Sequence, residues 1–109
     1  MVIKIDDTTV RAFDIVVVRP DASPVKILSG SQVLLAVEIA ETTHARDLGE
    51  KREEYASVGI PTYWVVDSVR SVTHCFRLED SGNRYGPAQI VPFGDAMEIP
   101  GLSGTIAID

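Results

Sequence analysis

The run Val33-Leu34-Leu35-Ala36-Val37-Glu38-Ile39-Ala40 is apolar at every position except Glu38. Eight such residues suit a strand buried on both faces, in the interior of a sheet. An ionised carboxylate in that setting needs a partner or a metal. Two other residues share the anomaly. Asp14 opens the apolar run Ile15 to Val18, and Lys51 falls on what should be the packed side of a helix. Three charged residues, each where an apolar one would cost less, point to a metal-dependent site rather than to surface decoration.

The surrounding pattern supplies the elements. Phe13 to Val18 reads as a strand, broken by Pro20 and Pro24, and Val33 to Ile39 reads as a second. Asp47-Leu48-Gly49-Glu50 has the form of a capping box, with Asp47 as N-cap, which predicts a helix from about Leu48 to Ser57. Gly59-Ile60-Pro61 stops it. Thr62 to Asp67 and Val72 to Leu78 predict a hairpin, and weaker strands are expected at Ala88 to Val91 and Thr105 to Ile108. The order β-β-α-β-β is that of an α+β domain with a mixed sheet and a flanking helix.

Leu48, Lys51, Tyr55 and Val58 form one stripe of that helix, and Glu50, Arg52, Glu53 and Glu54 occupy the wet side. Lys51 is the odd member of the stripe, unless its stem packs and its ammonium reaches water. If the first two strands pair antiparallel, Asp14 falls beside Glu38, at roughly the 5 Å of cross-strand neighbours. Two carboxylates so placed repel each other unless a cation lies between them. Mg²⁺ suits that role, because it takes carboxylate oxygens and keeps water for a substrate phosphate. The plainer alternatives are a turn residue at Asp14 and a buried ion pair at Glu38. Tyr55, one turn along from Lys51, is placed to hydrogen-bond a phosphate, but the simpler reading is a core tyrosine with a satisfied hydroxyl.

Length and composition set the limits. The 109 residues, 1–109, make one domain with one modest core. No apolar stretch approaches the ~20 residues of a membrane helix. Cys75 is the single cysteine, which excludes an internal disulfide framework and suits a reducing cytoplasm. A net charge of −6 argues against nucleic-acid binding through a basic surface. It does not argue against an enzyme that meets a phosphodiester through a divalent ion. His44 and His74 lack metal-pair spacing, and no nucleophile elbow, phosphate loop or dinucleotide fingerprint is present.

The blocks Phe13-Asp14-Ile15-Val16-Val17-Val18, Leu35-Ala36-Val37-Glu38-Ile39, Asp47 to Tyr55, Gly59 to Asp67 and Ile99-Pro100-Gly101-Leu102 resemble the Uma-type restriction endonuclease family, a branch of the PD-(D/E)XK nucleases. The resemblance covers nearly the whole chain. It implies a PD-(D/E)XK core, a divalent metal (Mg²⁺ or Mn²⁺) and nucleic acid, DNA first, as substrate. Asp14 and Glu38 match the family's two metal ligands. The superfamily's lysine position is Ala40 here, and Lys51 matches the lysine that this branch carries on the following helix. Asp14, Glu38 and Lys51 are therefore the expected catalytic set.

Three departures accompany the match. Phe13 replaces the family's proline, and Ala40-Glu41-Thr42-Thr43 replaces its usual Ser-Pro segment, placing another carboxylate near the site. The chain also begins almost at the Asp14 strand, which implies a fold truncated at its N-terminus. The alternative to an endonuclease is therefore an inactive relative serving as an interaction or dimerisation module. A sheet edge exposed by such a loss predicts a homodimer.

Overall fold

A computed structural model of the protein describes residues 2–20, 27–40 and 48–109. Val2–Asp6 (β1) and Thr9–Ala12 (β2) form an antiparallel hairpin, followed by Ile15–Val18 (β3). Ile27–Leu28 (β4) pairs in parallel with β1 and leads through a short 3₁₀ turn, Gly30–Gln32, into Val33–Ala40 (β5). The helix α1 spans Glu50–Ser57. Thr62–Asp67 (β6), Val72–Arg77 (β7), Gln89–Pro92 (β8), Ala96–Glu98 (β9) and Thr105–Ala107 (β10) complete the order.

The main sheet has five strands in the order β3-β5-β6-β7-β8. β5 and β6 are parallel, and every other pair is antiparallel. A parallel pair needs a crossover, and α1 lies between β5 and β6 in the chain. β5 is interior, as its apolar run requires, and β6 is buried at all six positions. The mixed sheet with one helix is the α+β architecture expected, with a restriction-endonuclease-like core.

Alternation along the strands sorts two apolar layers. Ala36, Ala40, Tyr63, Val65 and Phe76 face α1, where Tyr55 and Ala56 meet them. Aromatic rings fill this layer: Tyr55 meets Tyr63 edge-on at 5.2 Å, and Tyr63 stacks on Phe76 at 5.9 Å. Leu35, Val37, Trp64 and Val66 face the other way and are covered in part by Met97, Phe93 and Ile108. Gly59, at φ +82°, ends α1, with the Ile60 N–H donating to the Tyr55 carbonyl.

Some boundaries differ from expectation. α1 is described from Glu50 with Gly49 at its N-cap, whereas the sequence predicts a start near Leu48. The proposed cap Asp47, like Glu41 and His44, lies outside the described residues. Residues 2–12, which carry no predicted element, form the β1–β2 hairpin. That hairpin covers part of the supposedly wet side of α1. The Arg11 Nε donates to Glu54 Oε2 at 2.7 Å, its Nη2 to Glu54 Oε1 at 2.7 Å, and Nη2 also to Glu50 at 3.1 Å.

Candidate active site

The antiparallel register sets Ile15 opposite Val37, so the next pair outward is Asp14 and Glu38. Both side chains point to the α1 face. β3 ends at Ile15 because the Asp14 carboxylate takes over from the backbone ladder: its Oδ2 accepts the Ile39 N–H at 2.8 Å. Asp14 is exposed, and Glu38 is only 2 % exposed. One carboxylate faces water while its neighbour is sealed beneath the helix.

From above, α1 contributes two groups one turn apart. Tyr55, fully buried, donates its hydroxyl to Glu38 Oε1 at 2.7 Å. The Lys51 ammonium lies 3.5 Å from Glu38 Oε2. The spacing of four residues places both over the same carboxylate. Lys51 is therefore directed inward rather than out to water, with its side chain 18 % exposed. Phe13 closes the flank against the Tyr55 ring at 5.5 Å.

Burial dominates the electrostatics. It pushes the Glu38 carboxyl up to about 7, against the opposing pull of the Tyr55 hydrogen bond and the Lys51 charge, with Asp14 adding to the rise. Burial and the Glu38 carboxylate raise the Tyr55 phenol in turn. Near neutrality Glu38 is therefore only partly ionised. A cation bound beside it would favour the charged form.

The three residues singled out in sequence converge here. Tyr55 is the member that sequence reasoning set aside. It is the core tyrosine expected, but its hydroxyl is spent on Glu38. The signal was its position four residues after Lys51 on the stripe.

Asp67 is a second buried acid on the same face, at the start of the β6–β7 turn. Its Oδ1 accepts the Val69 and Arg70 N–H groups, closing the β6–β7 turn, and its Oδ2 meets Arg70 at 3.2 Å and His74 at 3.5 Å. Cys75 and His74 point to opposite faces of β7, which separates them as ligands of one ion.

The donor set of Asp14 and Glu38 can be tested for a metal. The described residues hold no cluster of three or more His, Cys, Asp or Glu side chains suited to an ion. Two carboxylates, one exposed and one buried, instead fit a hard divalent ion that keeps water and a substrate oxygen in its remaining positions. A soft or fully protein-caged ion does not fit.

The model of the Uma2 family, described as "Putative restriction endonuclease", matches residues 1–109. The chain belongs to the Uma2 family. No curated protein matches it. Membership of the Uma2 family points to a nuclease, to nucleic acid as substrate and to the divalent metal usual among restriction-endonuclease-like proteins. No helix among the described residues is long and apolar enough to cross a membrane.

Proposed function

We propose that the protein is a Mg²⁺-dependent endonuclease that hydrolyses phosphodiester bonds, DNA first, with Asp14, Glu38 and Lys51 as its catalytic set. The observation that carries this reading is that Lys51 on α1 reaches the buried Glu38, with the exposed Asp14 beside it on the neighbouring strand. Asp14 and Glu38 would hold Mg²⁺ or Mn²⁺. That ion, when bound, supplies Lewis acidity at the scissile phosphate and lowers the pKa of a water.

The remaining work falls to the chain. Glu38 is fixed by Tyr55, so its second oxygen is presented in one orientation. Lys51 sits where it can release Glu38 to the ion and turn its ammonium towards the attacking water or the developing phosphoryl charge. Asp14, anchored by the Ile39 N–H, is exposed to solvent. The lone Cys75 supports placement in a reducing cytoplasm. Among the described residues β3 is an edge strand of the main sheet, which supports a homodimer.

The test is cleavage of single-stranded, double-stranded and branched DNA, and of RNA, in Mg²⁺ and Mn²⁺. Metal-dependent cutting by the native chain, abolished in Lys51→Ala, is the expected result. Failure to cut any of them at high enzyme concentration favours the second reading, a non-catalytic Uma2 relative acting as an interaction module.

A further inference from the structure

A cavity of about 430 Å³ lies on the side of the main sheet away from α1 and the two carboxylates. Trp64 and Met97 form apolar walls, and Thr62, Arg77, Gln89 and Glu98 bring polar groups to its lining. It continues into a second chamber of about 660 Å³ that shares Thr62, Arg77 and Glu98. None of these four polar side chains hydrogen-bonds or ion-pairs with another described residue. Arg77 and Glu98 thus border one space, opposite in charge, without forming a pair.

The charges select among ligands. A simple anion or a nucleotide would meet Arg77 but also the Glu98 carboxylate, in a chain whose net charge is already −6. A wholly apolar molecule would use neither charge. A zwitterion satisfies them together, and an apolar body on it would lie against the indole and the thioether. Cys75 lines the same cavity with its thiol 3.7 Å from the Met97 sulfur, and burial pushes that thiol up to about 11. It is a neutral wall, not a nucleophile.

We propose that this cavity binds a free α-amino acid with a bulky apolar side chain, its carboxylate on Arg77 and its ammonium on Glu98. The site is separate from the proposed nuclease centre and independent of whether that centre cuts. A few convergent polar groups on apolar walls are the usual make-up of a small-molecule site.

Trp64 is the single tryptophan, so its emission reports on the cavity directly. The native chain is titrated with L-leucine and L-phenylalanine, with leucine methyl ester, with N-acetyl-leucine and with AMP. The expected result is a saturable change with both free amino acids, half-complete at about 1 mM or below, and none with the two blocked leucines. Arg77→Met and Glu98→Gln should each weaken binding about tenfold or more, and Arg77→Lys should recover part of it. Both positions are exposed, and the fold of each variant is checked by its melting curve. Arg84→Gln, across the sheet, should bind as the native chain does. No saturable change up to about 20 mM, equal binding of the blocked leucines, undiminished binding by a folded Arg77→Met, or binding of AMP alone would each overturn the proposal.

Discussion

At the scale of single residues, Glu38 carries opposite costs for stability and for function. Its carboxyl sits at about 7 in the folded protein, against 4.5 as its ordinary value, chiefly because burial disfavours the charge. The folded state therefore holds a proton that the unfolded chain releases. Stability from this group is complete below about pH 4.5 and declines as pH rises to about 7, by about 3 kcal/mol at most. We expect metal-free protein to lose melting temperature across that window, and Glu38→Gln to flatten the loss. A native profile that climbs from pH 5 to 7 with the same slope in both proteins would sink the assignment. Tyr55→Phe removes the one hydrogen bond that favours the charged form from the phenol side. It should cost about 1–3 kcal/mol at pH 8, measured by urea unfolding, and raise the Glu38 pKa further. These residues were legible in sequence for a simple reason. A charge in an apolar run or on a packed stripe is conspicuous, and strand register plus helical spacing then bring Asp14, Glu38 and Lys51 together. The Tyr55 hydroxyl was not legible, because a tyrosine on a core stripe looks the same whatever its oxygen touches.

At the scale of elements, the site depends on how α1 is held over β5. One clamp is the β1–β2 hairpin, through the fork of Arg11 on Glu54, with both side chains largely covered. Arg11→Met should destabilise by about 1–3 kcal/mol and leave Glu54 without its guanidinium. A double-mutant cycle with Glu54→Gln measures the coupling, and a value near zero would show that the hairpin docks by its apolar contacts alone. The second clamp is close packing at the other end of the helix. A Cβ on Gly30 would run into the Val58 carbonyl, which is backbone and has little freedom to yield. Gly30→Ala should therefore lower stability by about 2 kcal/mol or more, read from the same unfolding curves. Neither clamp was visible beforehand. β1 and β2 are four or five residues of mixed polarity, and β4 and β9 shorter still, so their alternation does not rise above that of a loop. The interior strands and the β6–β7 hairpin were visible because burial on both faces writes long apolar runs.

At the scale of the whole molecule, the sheet is unequal at its two sides. α1 and the small β2-β1-β4 sheet cover one face, whereas the β9–β10 ribbon covers the other only in part. An apolar groove of about 280 Å³ remains between the β9–β10 ribbon and the face of β3 and β5 that it leaves uncovered, bordered by Ile15, Ile39 and Ile106, each roughly half exposed. Ile15 belongs to β3, which among the described residues is one of the two edge strands of the five-stranded sheet. An unpaired edge joined to apolar side chains is the kind of surface that a monomer normally blunts with charge. Here Val16 and Val17 continue the apolar character along the edge strand. A second copy meeting this edge would bury the isoleucines and pair the open backbone groups in one step. We expect sedimentation to show a dimer at micromolar concentration, and Ile15→Lys to shift it to monomer while leaving the Asp14–Glu38 face folded. If the native chain sediments as a monomer throughout that range, the groove is covered by something other than a second copy. If Ile15→Lys stays dimeric, the contact lies elsewhere on the molecule. The metal response separates this assembly from the chemistry. Mg²⁺ or Mn²⁺ should raise the melting temperature of the native protein and of Ile15→Lys alike, but not of Asp14→Ala, because the proposed ligands Asp14 and Glu38 lie within one chain on the opposite face of the sheet.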